Sequence, residues 1–303
     1  MNPLVLAVPV MNAAEFLAAT LQSLNAQGSH ARWWLQDGCS TDNTAEIAKR
    51  LARPCDTVVS EPDKGQADAI NRAFAKMGGE IIGFLNGDDL LTQGTAERVV
   101  DYFRRHPHVD LIHGCVEWID RDGKVTGLHA GHIRSLEEVL DIYNVWWGQR
   151  QWVQPEVFFR RSLFEKVGPF DTRRHLAFDY DFWVRCFRAG ARVAHTPAIT
   201  VQFRVHASQK STAAERAADE MRAIVQQQLP NAPIPARTRL KISAALDYDL
   251  YQLGRTTADG RKRASFLTAL LTNPHWLLNP LVRARAQSSL AKLIPFRRRY
   301  LHK

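Results

Sequence analysis

Short apolar runs alternate along the first two hundred positions with stretches whose apolar residues recur every three or four places. The run LVLAVPV at 4–10 predicts a strand, and 14–26 puts Phe16, Leu17, Thr20, Leu21 and Leu24 on one helical stripe. The pattern then repeats. RWWLQ at 32–36 predicts a strand, Ser40 to Thr44 supplies N-cap chemistry for a helix, 56–60 predicts a strand, 66–76 a helix and 80–85 a strand. Residues 95–105 read as a helix, 109–118 and 123–128 as a hairpin turned at Asp120 to Gly123, and 135–143 as a helix. A strand at 153–160, a short helix at 161–167, an amphipathic helix at 179–189 and a strand at 193–204 complete this part. Alternation of this kind is the signature of an α/β domain built on a largely parallel sheet. A polar helix at 211–228 and the proline-rich 229–235 follow, so the boundary is placed near 211, with a domain at 1–211 and a helical extension at 212–303.

In open α/β sheets ligands bind outside the carboxyl ends of the strands. Pro9, Asp37, Glu61 to Gly65 and the pair Asp88-Asp89 all fall at such ends, which points to one cleft. The segment GFLNGDD at 83–89 poses the sharpest question, because an apolar strand stops in two adjacent carboxylates. Like charges side by side repel, so the pair is either a solvated turn or a site for a positive partner.

Composition narrows the classes. With 45% hydrophobic residues in 303 the chain can bury a sizeable core. Four dispersed cysteines, with no CxxC pair, suggest neither a zinc site nor a disulfide framework and imply a reducing, cytoplasmic setting. No basic leader and no long apolar span is visible, so the expectation is a chain neither exported by a signal peptide nor membrane-spanning. The net charge of +9 is unevenly placed: residues 212–303 carry +10 and residues 1–211 carry −1. A basic tail with Leu and Trp interleaved, as in 264–281 and in Ile294 to Tyr300, suits either an anionic membrane surface or a helical lid with a solvated basic face. No DNA or RNA motif accompanies it, so nucleic acid is not an expected partner.

The order Val8-Pro-Val-Met-Asn12, Gln36-Asp-Gly-Cys-Ser-Thr-Asp-Asn-Thr44, Ser60-Glu-Pro-Asp-Lys-Gly-Gln-Ala-Asp-Ala-Ile-Asn71 and Asn86-Gly-Asp-Asp89 resembles the nucleotide-sugar half of family 2 glycosyltransferases. Gln154-Pro-Glu-Val-Phe-Phe-Arg-Arg161, Val167-Gly-Pro-Phe-Asp171, Asp179-Tyr-Asp-Phe-Trp183 and Phe203-Arg-Val-His206 continue the resemblance, which covers about residues 3–211. It implies a GT-A fold, Rossmann-like with a mostly parallel sheet flanked by helices, and an inverting, metal-assisted transfer of sugar from a nucleotide diphosphate, UDP favoured. The acceptor implied is a hydroxyl of a glycan or lipid-linked molecule of bacterial envelope polysaccharide, and the basic tail would hold the chain, otherwise cytoplasmic, at the inner face of the cell membrane. A catalytically silent module of the same fold is the alternative.

The resemblance also assigns residues. Pro9, Asn12, Asp37, Asp42, Glu61, Asp63, Lys64, Gly65, Asp68, Asn86 and Gly87 fall to the nucleotide, with Asp37 at the base or ribose and Asp42 capping the helix beside it. Read without the family, Asp37 is also an ordinary helix-capping acid, and Lys64 is able simply to pair with Asp63. Asp88, Asp89 and His206 are expected around Mg²⁺ or Mn²⁺, Asp88 as ligand, Asp89 as its supporting or ribose partner and His206 reaching the metal or the diphosphate, with Asn86 standing where the family's metal motif usually has an acid. Asp179 is the expected general base, and Phe178 replaces the acid usually found before it. Gln154, Trp147 and Asp181 are expected at the acceptor, where Trp146, Trp147 and Trp152 form a cluster equally suited to core packing.

Overall fold

The computed structural model describes residues 4–207, 209, 214–256 and 266–293. The Ile294 to Tyr300 run and the first residues expected in the 211–228 helix lie outside this set. The chain divides into two compact units, Met1–Val225 and Gln226–Lys303.

The first unit begins with β1 (Leu4–Val10), α1 (Ala14–Asn25), β2 (Ala31–Asp37), α2 (Thr44–Leu51), β3 (Thr57–Ser60), α3 (Gln66–Lys76) and β4 (Ile81–Phe84). There follow β5 (Leu90–Leu91), α4 (Thr95–Arg105), β6 (Leu111–Ile119), β7 (Val125–His129), α5 (Leu136–Leu140), β8 (Val157–Arg160), α6 (Arg161–Val167), α7 (Phe178–Arg188), β9 (Val193–Arg204) and α8 (Ala214–Gln228), of which the residues to Val225 belong to this unit. One sheet runs in the order β3-β2-β1-β4-β8-β6-β9-β5, with β7 on the flank of β6. Strands β3, β2, β1 and β4 are parallel throughout, whereas β8 is antiparallel to both β4 and β6 and only β6 and β9 pair in parallel beyond it. The largely parallel sheet expected from the sequence is therefore parallel in its first half and mixed in its second.

Every residue of β1 is buried, as a central strand covered on both faces requires. Leu4, Leu6, Val8 and Val10 pack into one core with Leu17, Leu21 and Leu24 of α1 and Ala96, Val99 and Phe103 of α4. On the other face α3 contributes Ile70, Ala73 and Phe74, and Phe74 meets Phe159, Phe164 and Phe170 edge-on or tilted. Phe16, expected on the buried stripe of α1, is only half-buried and packs elsewhere, as described below.

Two other stretches depart from the sequence reading. The helix expected at 135–143 is a short α5 followed by a wide-turned helical stretch at Ile142–Arg150 that breaks at Gly148 and Gln149. The strand expected from 153 begins at Val157, because Gln154–Glu156 forms a single tight helical turn. Asp120 accepts backbone N–H bonds from Asp122 and Lys124 and so fixes the β6–β7 turn.

The second unit contains α9 (Ala236–Thr256), α10 (Phe266–Thr272) and α11 (Pro280–Leu293) around Ala244, Phe266, Ala269, Trp276, Val282 and Ala286. Part of its basic character is turned inward. The Arg285 guanidinium lies 4.5 Å from the Phe266 ring centre and donates to the Tyr248 hydroxyl at 2.7 Å. All four cysteines are free, Cys39 and Cys55 exposed, Cys115 and Cys186 buried. Among the described residues no helix is long and apolar enough to cross a membrane.

Candidate active site

The carboxyl ends of β1, β2 and β4 lie side by side, because the three strands are parallel neighbours. The turn after β1 reverses at Asn12, which has a left-handed φ of 52°. Its side-chain oxygen accepts from the Thr41 N–H at 2.9 Å, and its own N–H donates to Ser40 Oγ at 2.7 Å. Asp42 ties the same two loops: it accepts from the N–H of Ala14 at 3.1 Å and of Thr44 at 3.0 Å. Its surroundings oppose ionisation by partial desolvation, but the bonds from Thr44 and Ala14 outweigh this and hold the carboxyl below its usual range.

Asp37, at the end of β2, is fully buried. Ser40 donates to it through both N–H and hydroxyl, and Ser60 Oγ donates at 2.6 Å, so its carboxylate organises the loop that follows. Pro9 lies in the strand pair beside it, opposite Gln36.

In the 61–68 loop, Glu61 accepts from Arg72 and Gln36, both at 3.2 Å, and the Arg72 bond is the main reason its carboxyl sits below the usual range. Asp63 lies against Gly38, where a Cβ would come within 2.9 Å of its oxygen, and accepts the Gly65 N–H at 2.8 Å. Asp68 accepts the Lys64 N–H at 3.0 Å and pairs with Arg72 at 2.9 Å. The exposed Lys64 ammonium makes no ion pair among the described residues, so the pairing with Asp63 considered from the sequence is not formed. Gly65 caps α3 with a φ of 107°.

Asn86 is a three-way junction. It accepts from Gln66 Nε2 at 2.7 Å and donates to Asp89 Oδ2 and Gln154 Oε1, each at 3.0 Å. Gln154 in turn donates to the Phe84 carbonyl at 3.0 Å. Gly87 turns inward: a Cβ there would come within 2.8 Å of Val10 and 3.2 Å of Ala13. Its missing side chain thus permits close packing of two loops.

The two adjacent acids behave differently. Asp89 is buried, and its oxygens accept from the Arg204 N–H and from Asn86. Burial first, and the Asp88 charge second, push its carboxyl well above the usual range. Asp88 is partly exposed, and its Oδ2 lies 3.0 Å from His206 Nε2. Phe16 floors this pair, with its ring 4.8 Å from the His206 ring and 4.8 Å from the Arg204 guanidinium.

Sequence reasoning gave Arg204 no role, although it is the clamp of the site. Only 4% exposed, it donates to the carbonyls of Asp88, Asp120 and Arg121. A basic residue ending a predicted strand two places before a candidate histidine was the signal.

Among the described residues no three His, Cys, Asp or Glu side chains converge as a metal cage. Asp88 and His206 do converge. A carboxylate and an imidazole, with substrate phosphates and water completing the shell, are a sufficient donor set for Mg²⁺ or Mn²⁺. Asp89 is committed to its buried partners and supports from behind.

Asp179 stands in the first turn of α7, half-buried, with Oδ1 accepting the Tyr180 N–H at 2.8 Å. Phe178 anchors that turn. Its ring packs on Phe170 at 5.5 Å and on Phe84 at 6.0 Å, tying α7 to the strand that leads into Asn86. Asp181 is 5% exposed and pairs with Arg185 at 2.7 Å, and Arg185 also donates to the carbonyls of Val167, Gly168 and Pro169. This carboxylate therefore pins a loop. Of the tryptophans, Trp152 is core, Trp146 packs edge-on against Tyr180, and Trp147 is 39% exposed beside Tyr143.

Residues 5–168, more than half of the chain, match the model of Glycosyl transferase family 2. A PGL/p-HBAD biosynthesis glycosyltransferase of Mycobacterium bovis is 31% identical over 191 residues, covering 61% of this chain and 70% of that protein. Among solved structures, S. aureus TarS 1–349 in complex with UDP superposes with a TM-score of 0.61 at 18% identity, over 90% of this chain and 78% of that one. Against the longer TarS chain the coverage of that chain is 47%. The mannosyltransferase PcManGT from Pyrobaculum calidifontis, in complex with GDP-Man and Mn2+, gives 0.60 at 20% identity over 94% and 83%. These likenesses establish the GT-A fold.

Proposed function

The chain belongs to Glycosyl transferase family 2, the nucleotide-sugar glycosyltransferases, and on that premise we propose that it catalyses an inverting transfer to a glycan or lipid-linked hydroxyl. The observation that carries this reading is the Asp88–His206 pair at the carboxyl end of β4, assembled from residues 118 positions apart. Such a pair at a strand end, with the Asn12, Asp37 and Asp63 loops beside it, suits a diphosphate and its cation.

In the proposed reaction Asp179 takes the proton of the acceptor hydroxyl as its oxygen bonds to the anomeric carbon. The bond from that carbon to the diphosphate oxygen breaks on the opposite face, so the configuration inverts and the nucleoside diphosphate leaves with the electron pair. Asp88 and His206 would hold the divalent cation, whose chemistry is to neutralise charge on the departing diphosphate. Loops 37–42 and 61–68 bind the nucleotide, and Trp147 offers an aromatic face to the acceptor sugar. UDP is the favoured nucleotide, in keeping with the UDP complex of TarS. The M. bovis relative is named as a biosynthesis glycosyltransferase, which supports transfer to an acceptor molecule under construction. The second unit, with Leu271 and Leu277 exposed on a basic segment, is proposed to rest on an anionic membrane surface at the inner face of the cell membrane.

Titration with UDP, GDP, UDP-GlcNAc and GDP-mannose, with and without Mn²⁺, tests the cleft. The expected outcome is cation-dependent binding of one nucleotide, weakened in Asp88→Ala. Asp179→Asn is expected to lower turnover by roughly 10²–10⁴-fold with nucleotide affinity unchanged. Binding without turnover in the wild type would identify a silent module instead.

A further inference from the structure

We propose that Glu220, on α8, is a positioning residue for the base-bearing turn of α7. The inference rests on Asp179 being the base. Three successive backbone N–H groups, of His175, Leu176 and Ala177, converge on the Glu220 carboxylate at 3.2, 3.0 and 2.9 Å. Consecutive N–H groups aimed at one point form a concave anion site, and charge-assisted bonds of this kind are about twice as strong as neutral ones. Ala177 is the residue that caps α7, two positions before Asp179.

The turn is thereby held from two sides. Phe178 is packed on Phe84 and Phe170, which fixes where the helix starts. Glu220 fixes the backbone that feeds into it, and so the direction in which the first-turn side chains leave the helix. The same α8 carries Arg222, whose guanidinium lies 5.1 Å from the Trp147 ring centre. One helix thus touches both the segment that aims the base and the exposed aromatic proposed for the acceptor. Among the described residues the Glu220 hydrogen bonds go to 175–177 and not to the loops at 37–42 or 61–68, so its effect falls on turnover and acceptor geometry rather than on donor affinity.

The test compares wild type, Glu220→Gln, Glu220→Asp and Asp179→Asn, using whichever of UDP-glucose, UDP-GlcNAc and GDP-mannose the wild type turns over fastest. For Glu220→Gln the expected result is a kcat about tenfold lower or more, since small misplacement of a catalytic group is costly, with donor KM within about twofold. The acid limb of its pH–rate profile moves to lower pH, because a negative charge near Asp179 has been removed. Glu220→Asp, which keeps the carboxylate on a shorter stem, recovers part of the loss and stands in should the glutamine variant not fold. Faster amide exchange at Leu176 and Ala177 in Glu220→Gln is expected without any turnover assay, and unchanged exchange there overturns the proposal. Accelerated exchange with wild-type kcat and pH profile also overturns it, since Glu220 would then be structural only. Wild-type turnover in Asp179→Asn removes the base reading instead, whatever Glu220→Gln does.

Discussion

The two halves of the sheet solve the same problem by opposite means. In the half formed by β3, β2, β1 and β4, regular parallel pairing sets the strand ends level, and short loops do the rest. Asn12 reaches Thr41, Asp42 reaches Ala14, and Asp63 and Asp68 bond to N–H groups two to four residues away. In the half formed by β8, β6, β9 and β5, pairing is mixed, and the site residues arrive from distant parts of the chain. Asn86 joins Gln154, Asp88 meets His206, and Arg204 bonds to the carbonyls of Asp88 and Asp120. A loop site rests on bonds within one loop or between adjacent loops, none of those named joining residues more than 29 positions apart. A wired site depends on buried polar partners, each of which is costly to orphan.

The largest expected effect of that difference is at Arg204. Arg204→Ala removes a buried side chain that donates to three part-buried carbonyls and sets the cation above Phe16. A loss of roughly 3–5 kcal/mol is expected, as for other broken buried charged networks. Urea denaturation reads it directly. A loss below about 1 kcal/mol would mean that the long-range wiring is dispensable and that the contrast between the halves is only descriptive.

Next in size is Asn86→Asp, which sharpens the comparison at the point where the two halves meet. An acid at this position would place a second carboxylate against buried Asp89, whose carboxyl is already pushed up, and would remove the donor that reaches Gln154. About 2–3 kcal/mol of stability is expected to be lost without a divalent cation. Thermal melts with and without Mn²⁺ check this. A variant as stable as wild type that binds nucleotide more tightly would show that Asn86 is only an attenuated ligand and not a junction.

The same contrast explains what was legible in the sequence. Strand ends such as Asp37 and the 61–65 loop announce themselves by position, because an apolar run that stops in polar residues has few other meanings in an α/β chain. The parallel half of the fold follows from periodicity for the same reason. Residues 142–150 were read only in part as helix, because a wide-turned stretch ending at a left-handed Gln149 depends on its packing and leaves no simple period. Asp88 and Asp89 are told apart in the sequence only by the resemblance, which makes Asp88 the ligand and Asp89 its supporting or ribose partner. Adjacent acids look alike in a sequence, and only the return of β9 buries one under Arg204 and leaves the other beside His206. Gly87 is similar, since a glycine beside acids suggests ligand access and its packing against Val10 and Ala13 shows only in the fold.

Glu156 supplies the finest test of the wired half. It is fully buried beside Gln154, its Oε1 accepts the Val153 N–H at 2.8 Å, and its Oε2 has no hydrogen-bond partner among the described residues. Burial pushes its carboxyl well above the usual range. A folded state that keeps a proton the unfolded chain releases loses stability as pH rises from the unfolded value toward the folded one. The deficit grows by up to about 1.4 kcal/mol per pH unit over that window. Glu156→Gln, similar in shape and unable to ionise, is expected to match the wild type near pH 4 and to exceed it progressively toward neutral pH. Chemical denaturation of both proteins at one-unit pH steps measures the gap. A gap that stays flat from pH 4 to 8 would mean that Glu156 is ionised and paired in solution, and that the mixed half holds a charge as readily as the loops of the parallel half do.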